Sequence, residues 1–330
     1  MTAQDRMMQK KWGVFNHFLY GSEKGYTDYR ADDKEEILRM AEEWNQQVDS
    51  FDVEKLARTL HEIGCGYYFI TVMQGTRFMI APNAAYSRIT GIAPGEGCAR
   101  RDLIRDIGEA LKQYDIDLYL YYTGDGPHFD KVAGPAMGLY EDYEAGLHGK
   151  VDRQFVENWA AVMEEYAVRY GDLVKGWWVD GCYAHLGYDN ELLSLYYNAM
   201  KKGNPEVLGA FNSGTASFVH PDGDDTPIKW FEHEGFICGE DNDFTYIFQN
   251  RFTGGAQNHL LIPLGNYRDG NPCAGWRNTG VRRDKEYLAD YIARNNRAGA
   301  VITVDIFVDQ HGNFDPAQVE ALKYVGSRLK

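Results

Sequence analysis

The stretch RRDLIRDIGEALKQYDIDLYLYYT, residues 100–123, joins two different hydrophobic patterns within one short segment. In 100–114 the apolar residues recur at the spacing of one helix face. Residues 116–123 form a compact apolar run, rich in leucine and tyrosine, that is typical of a buried strand. A helix that leads directly into a buried strand is part of a parallel β-α-β unit.

This pattern repeats along the chain. Seven further runs are strand-like, at 12–20, 67–73, 176–181, 207–212, 235–240, 259–264 and 300–307. Helical periodicity is found near 53–63, 152–170, 190–201, 284–297 and 315–329. Eight strand-like runs alternating with helices predict an α/β fold, a closed (β/α)8 barrel of the TIM type.

The length of 330 residues would also allow two smaller domains. No low-complexity linker divides the sequence, however, and barrels of this kind often reach this length as one unit. The segment NHFLYGSEKGY (16–26) after the first strand lacks the GxGxxG loop that favours an open dinucleotide-binding sheet. We therefore predict one catalytic barrel domain over residues 1–330.

The charge balance argues against two classes of partner. The chain has 34 basic and 49 acidic side chains, a formal charge of −15 that repels nucleic acid and anionic lipid. No stretch approaches the roughly 20 apolar residues of a spanning helix, and MTAQDRMMQKKW has no apolar signal-peptide core. We expect a cytoplasmic protein. Its five cysteines show no CxxC spacing and are expected to be reduced and mostly buried.

The segment KGWWVDGCY (175–183) carries one carboxylate, Asp180, to the end of an apolar run. Chemistry in such barrels sits at the carboxyl ends of the strands, so Asp180 lies where a site is expected. Other polar groups come at the ends of other predicted strands: His17, Gln74, Arg77, Tyr122, Asp125, His128, Asn212, Glu240 and Asp305. For each of them taken alone, a structural role is about as plausible as a functional one.

Two carboxyl groups across one rim are what glycoside hydrolysis requires. We predict Asp180 as the nucleophile. The segment KWFEHEGFICGED (229–241) offers three candidates for the acid/base, namely Glu232, Glu234 and Glu240. Glu240 is favoured because it closes a predicted strand and so reaches the rim, whereas the other two precede that strand.

Five segments, in this order, resemble successive blocks of the α-L-fucosidases of glycoside hydrolase family twenty-nine. They are KWGVFNHFLYG, FDVEKLARTLHEIGCGYYFITV, RRDLIRDIGEALKQYDIDLYLYYT, WWVDG and NNRAGAVITVDIFVDQHGNFDPAQVEALKYVG. The resemblance spans about 12–330. It implies a retaining glycosidase on an irregular (β/α)8 barrel, with no metal and no organic cofactor.

The resemblance also implies roles for individual residues. The family nucleophile corresponds to Asp180, and the first-strand histidine that binds sugar hydroxyls corresponds to His17. Glu240 occupies the region of the family acid/base, and Asn212 lies in a matching asparagine block. The side chains expected to contact the sugar are His17, Gln74, Tyr122, Trp178, Asn212 and Trp276.

The chain departs from the family pattern in two places. After the second strand the family has two adjacent histidines, whereas this sequence reads VMQGTRF (72–78), with Met73 and Gln74 at those positions. The chain also ends with its last barrel helix, so we expect no C-terminal β-sandwich. The loop 265–280, which contains Tyr267, Trp276 and Arg277, is a candidate wall of the site in its place, and an ordinary surface loop is an equally plausible reading of it.

Three functions follow in order of preference. The first is a retaining exo-glycosidase acting on a terminal α-L-fucoside or a similar sugar. The second is a catalytically inactive carbohydrate-binding barrel, which the missing histidine pair favours. The third is a metal-assisted hydrolase that uses the acidic loop HPDGDDTP (220–227), although calcium sites need a more regular spacing. In each case the partner is a carbohydrate or small-molecule substrate, and a homo-oligomer is compatible with the sequence.

Overall fold

The predicted barrel strands are all present in the computed structural model, which describes residues 1–21, 33–139, 150–213, 228–267 and 275–329. The strands are β1 (Trp12–Asn16), β2 (Tyr67–Thr71), β3 (Asp117–Thr123), β4 (Val174–Asp180), β5 (Leu208–Phe211), β6 (Gly239–Glu240), β7 (His259–Pro263) and β8 (Val301–Asp305). Every pairing among them is parallel. The α/β barrel prediction is confirmed.

The eight strands form one curled sheet in the order β5-β4-β3-β2-β1-β8-β7-β6. The two outer strands, β5 and β6, are joined by the segment that leads into β6. There the Gly235 N–H donates to the Gly209 carbonyl at 2.8 Å, and the Gly235 carbonyl accepts from the Gln257 N–H at 3.0 Å. The carboxyl ends of β5 and β6 therefore lie side by side.

The helices surround the sheet. They are α1 (Ala3–Lys10), α2 (Lys34–Asp49), α3 (Val53–Ile63), α4 (Ala84–Thr90), α5 (Leu103–Lys112), α6 (Ala133–Met137), α7 (Arg153–Tyr170), α8 (Asn190–Gly203), α9 (Lys285–Arg297) and α10 (Pro316–Leu329). Many begin at an aspartate whose carboxylate accepts a backbone N–H of the first turn, as Asp102 does for α5 and Asp189 for α8. Part of the acidic excess is thus used in helix capping.

The barrel interior is aromatic. Side chains alternate across each strand, so Tyr119 and Tyr121 of β3 point inward while Leu120 and Tyr122 point toward the helices. Gly13 of β1 makes room for this filling, since a Cβ there would lie 2.2 Å from the Tyr67 ring. Much of the high tyrosine and phenylalanine content is therefore core rather than ligand-binding surface.

Two expectations from the sequence, reduced buried cysteines and no membrane-spanning helix, can be compared with the residue ranges that the structure describes. Cys65, Cys98, Cys182 and Cys238 are free and buried, whereas Cys273 lies outside the described residues. None of the helices within those ranges is both long enough and apolar enough to cross a membrane.

Candidate active site

Asp180 is the last residue of β4, and its carboxylate is partly exposed at the carboxyl end of the barrel. The following residue, Gly181, has a φ of +70°. A Cβ at this position would also lie 2.9 Å from the Asp125 carboxyl carbon. The glycine thus satisfies a left-handed turn and a close approach of the loop after β3.

Asn212 connects Asp180 to Glu240. Its Nδ2 atom donates to Asp180 Oδ1 at 2.8 Å and to Glu240 Oε1 at 2.8 Å. Two oxygens that share one nitrogen partner in this way cannot be farther apart than twice that distance. Residues 180 and 240, distant in the sequence, therefore bring their carboxyl groups close together at the barrel mouth.

The second oxygen of Asp180 is held by a tyrosine. The Tyr121 hydroxyl donates to Asp180 Oδ2 at 2.6 Å and accepts from Gln74 Nε2 at 3.0 Å. A continuous hydrogen-bonded chain therefore runs from the end of β2 through β3 and β4 to Asn212. Both oxygens of the Asp180 carboxylate are fixed in position before any ligand arrives.

The surroundings raise the pKa of both carboxyls. Burial and the nearby Asp125 charge raise the pKa of Asp180, although the Tyr121 and Asn212 hydrogen bonds oppose this by favouring the ionised form. Burial and the charge of Asp180 hold the pKa of Glu240 well above its usual range. Asp180 has more donors than Glu240, so we assign the ionised form to Asp180 and the protonated form to Glu240.

A second polar group lies on the β1 and β8 side of the mouth. His17, directly after β1, contacts Asp305 of β8 through Nδ1 and Oδ1 at 2.7 Å. The other Asp305 oxygen accepts the Arg277 backbone N–H at 2.8 Å. The half-buried Trp276 ring stands edge-on to His17, with 6.1 Å between ring centroids. His17 and Trp276 therefore lie together on this side of the mouth, and their contact with a sugar stays a prediction.

Two predicted contact residues are placed differently. Tyr122 faces the helices, where it stacks on Trp159 at 4.7 Å and donates to the Trp159 carbonyl at 2.9 Å. Its prediction as a sugar contact is wrong, because inward and outward positions alternate and Tyr121 takes the inward one. Trp178 is inside the barrel but only 1% exposed, and it packs against His259 beneath Asp180. It supports the site from below rather than lining the open mouth.

The alternative acid/base candidates do not join the Asp180 pair. Glu232 is exposed beside Asn190, which accepts the Glu232 backbone N–H at 3.2 Å. Glu234 is 4% exposed, and its two oxygens accept the backbone N–H groups of Phe211 and Trp230 at 3.0 and 2.9 Å. Glu234 thus ties the segment before β6 to the end of β5.

The buried carboxyl of Glu234 should make the stability of the protein depend on pH. Burial raises its pKa to about 8 from 4.5, so its contribution to stability is complete below pH 4.5 and is lost as the pH rises through 8. We expect Glu234→Gln to reduce the drop in melting temperature between pH 5 and 8 by roughly a few degrees. Melting curves of both proteins at the two pH values check this. An equal drop in both would contradict it.

The sequence missed three features of this site. Tyr121 is not predicted by the sequence because the inward face of β3 follows from the register, in which Thr123 pairs with Asp180. Tyr183 lies just after Asp180 in the chain, and the charge of Asp180, burial, and the charges of Asp125 and Glu240 raise the pKa of Tyr183. Asp125 and His128 were noted only as strand-end residues. Asp125 lies close enough to Asp180 for its charge to raise the pKa of that carboxyl, and 3.2 Å separates Asp125 Oδ2 from His128 Nδ1.

Metal ligation has no support within the described ranges, where no group of three or more His, Cys, Asp or Glu side chains could hold a metal ion. The acidic loop 220–227 of the third hypothesis lies outside those ranges, as does the part 268–274 of the candidate wall loop.

Comparisons with solved structures identify the fold. An α-L-fucosidase of glycoside hydrolase family 29 from Bacteroides thetaiotaomicron superposes with a TM-score of 0.65 at 16% identity, covering 98% of this chain and 72% of that one. An endo-fucoidan hydrolase of family 107 gives 0.69 at 14% identity, over 100% and 94% of the chains. The α-L-fucosidase AlfC, in a fucosyltransferase mutant, gives 0.60 at 14%, over 98% and 97%.

These likenesses define a class of fold. No protein-family model matches the sequence, and no curated protein matches it. At such low identity the superpositions show that the chain has the barrel found in these glycoside hydrolases. The resemblance inferred from the five sequence blocks is confirmed at the level of the fold.

Proposed function

We propose that the protein is a retaining exo-glycosidase that hydrolyses a terminal α-L-fucoside or a stereochemically similar sugar. The observation that carries the proposal is the Asn212 amide nitrogen shared by Asp180 and Glu240, each at 2.8 Å. This shared nitrogen holds two carboxyl groups, which differ in their hydrogen-bond donors, close together at the mouth of a barrel. That arrangement suits double displacement at an anomeric carbon.

In the first step, an Asp180 oxygen attacks the anomeric carbon and forms a glycosyl ester. The bond from that carbon to the leaving oxygen breaks as Glu240 gives its proton to this oxygen. Glu240 is suited to the role because burial and the charge of Asp180 raise its pKa and so favour its protonated form. Asp180 is suited to attack because Tyr121 and Asn212 hold its carboxylate in one orientation.

In the second step, Glu240 acts as a base. It takes a proton from a water molecule, the water oxygen bonds to the anomeric carbon, and the ester bond to Asp180 breaks. The sugar leaves with the anomeric configuration of the substrate, and both carboxyls return to their starting states. Asn212 can contact both groups throughout, which gives it a role in keeping their spacing.

The identity of the sugar depends on the end of β2. Met73 is fully buried and packs into the core, and Gln74 donates to Tyr121. Neither side chain can replace the two histidine donors that the family resemblance implies at this position. Recognition of the sugar therefore depends more on His17, Trp276 and the loop after β3, and a fucose-like sugar other than fucose is compatible with the proposal.

A substrate panel with stereochemistry tests the function. Purified protein is assayed with 4-nitrophenyl α-L-fucoside, β-D-galactoside and α-L-arabinoside, and NMR records the first anomer released from the substrate that reacts. Retention of configuration is expected, whereas inversion would overturn the mechanism. Sugar binding by calorimetry without turnover of any glycoside would instead favour the inactive carbohydrate-binding barrel.

Tyr121→Phe tests how the nucleophile is held. Loss of the hydroxyl removes the donor to Asp180 Oδ2 while the ring keeps its packing. Because that hydrogen bond favours the ionised carboxylate, its loss raises the pKa of Asp180 further. We expect kcat/KM to fall by roughly tenfold or more and its acid limb to move to higher pH. Tyr122→Phe, which faces the helices, is the matched control and should leave the acid limb unchanged.

A further inference from the structure

The loop that follows β3 carries a third carboxylate to the catalytic pair. Thr123 is the register partner of Asp180, and the Gly124 N–H donates to the Asp180 carbonyl at 2.5 Å. Asp125 is the next residue, and its carboxyl lies against Gly181. None of the steps in the mechanism above uses this group, so its presence beside Asp180 needs another explanation.

The loop is fixed on both sides. The Phe129 N–H donates to the Gly75 carbonyl at 2.8 Å, which ties the loop to the end of β2. Arg77 holds Asp130 through two hydrogen bonds of 2.5 and 2.8 Å, and both of these side chains are buried. The position of the Asp125 carboxylate is therefore set before a ligand binds, as a recognition group requires.

The Asp125 carboxylate is itself oriented. The Thr123 hydroxyl donates to Oδ1, and His128 Nδ1 lies 3.2 Å from Oδ2. The Asp125 side chain is 13% exposed, and its carboxyl lies against Gly181, directly after Asp180. The phenol of Tyr183, whose pKa is raised by the charges of Asp180, Asp125 and Glu240, lies on the same side.

We propose that Asp125 is a substrate-contacting residue whose carboxylate accepts hydrogen bonds from hydroxyl groups of the sugar held between Asp180 and Glu240. The inference rests on the proposed function and deepens it by assigning a specificity residue. Three carboxyl groups around one sugar favour a neutral, polyhydroxylated ring and disfavour an anionic sugar at this position. His128, whose Nδ1 lies 3.2 Å from Asp125 Oδ2, has the place of a positioning residue in this proposal.

The test combines Asp125→Asn with substrates that each lack one hydroxyl. For the 4-nitrophenyl glycoside that is turned over, we expect one monodeoxy analogue to lose roughly 10- to 100-fold in kcat/KM with the native protein. Asp125→Asn should show a similar loss with the parent substrate and little additional loss with that analogue. An equal loss with the parent and every analogue would overturn the assignment, because a structural defect does not distinguish hydroxyl groups.

A pH profile gives a second readout. Among the residues that the structure describes, the ionisable groups near Asp180 include Tyr121, Asp125, Cys182, Tyr183 and Glu240. Removing the negative charge of Asp125 lowers the pKa of Asp180, so the acid limb of kcat/KM should move to lower pH. Asp172→Asn, an exposed residue just before β4, is the charge-matched control and should not move it. An unmoved acid limb in Asp125→Asn would count against the contact.

Binding separates this inference from the proposed function. Calorimetry on Asp180→Asn measures the affinity of the free sugar and its monodeoxy forms without turnover. We expect the double variant, Asp180→Asn combined with Asp125→Asn, to bind the free sugar and its monodeoxy forms without a preference for one hydroxyl. Retention of the preference overturns the role of Asp125, whereas full activity of Asp180→Asn overturns the catalytic proposal instead.

If Asp125→Asn does not fold, His128→Gln should show a smaller loss confined to the same hydroxyl, and a loss shared by all analogues would contradict the proposal.

Discussion

Replacing Asp180 by alanine is expected to lower kcat on an activated aryl glycoside by on the order of 10⁴-fold, the scale seen when one member of a catalytic set is removed. The carboxylate supplies the bond that carries the sugar through the intermediate, and Tyr121 and Asn212 donate to its two oxygens. No other described acid has its position opposite Glu240. The fold should survive, because the side chain is partly exposed and water can replace the lost acceptor.

Azide distinguishes a nucleophile from a structural acid. In Asp180→Ala the small anion can occupy the vacated space and attack the anomeric carbon. The leaving group departs either with a proton from Glu240 or as a stable aryl oxide anion. The product is a glycosyl azide with the anomeric configuration opposite to that of the substrate. Asp172→Ala, at the other end of β4, should keep native activity and show no response to azide. Native activity in Asp180→Ala would refute the assignment.

Replacing Glu240 by glutamine should give the second large effect. General acid catalysis contributes typically 10²- to 10⁴-fold, so we expect a loss in this range for glycosides with a poor leaving group. An activated leaving group departs without a proton, so 2,4-dinitrophenyl glycosides should lose much less in the first step. Glu232→Gln, an exposed neighbour, is the matched control and should behave like the native protein. Equal losses with both leaving groups would contradict an acid role.

The pH profile of kcat/KM follows from the same pair. Activity rises as the pH passes through the pKa of Asp180, raised above 3.8, because the nucleophile must be ionised. It falls as the pH passes the pKa of Glu240, held well above 4.5, because the acid must be protonated. The two apparent values belong to the coupled pair rather than to single residues. Glu240→Gln should therefore lose the alkaline limb and keep the acid limb.

Helix prediction succeeded where one apolar face was continuous. The segment Val53–Ile63 was predicted with its observed bounds, because its apolar residues all lie on one face and Asp52 and Gly64 cap its ends. Helix Lys34–Asp49 was not predicted, although Ile37, Ala41, Trp44 and Val48 form a comparable buried face. Short helices such as Ala133–Met137 contain too few residues to show a period.

The sequence by itself determined the alternation of strands and helices, and with it the barrel and the end of the barrel at which Asp180 emerges. Hydrophobic periodicity is a local property, so it survives without knowledge of the neighbours. Only the tertiary structure decided that Tyr121 rather than Tyr122 faces the site, since a shift of one residue exchanges the two faces of a strand. It also decided that Asn212, at the end of β5, donates to the carboxyls of both Asp180 on β4 and Glu240 on β6. That contact depends on the relative register of three strands, which no local pattern encodes.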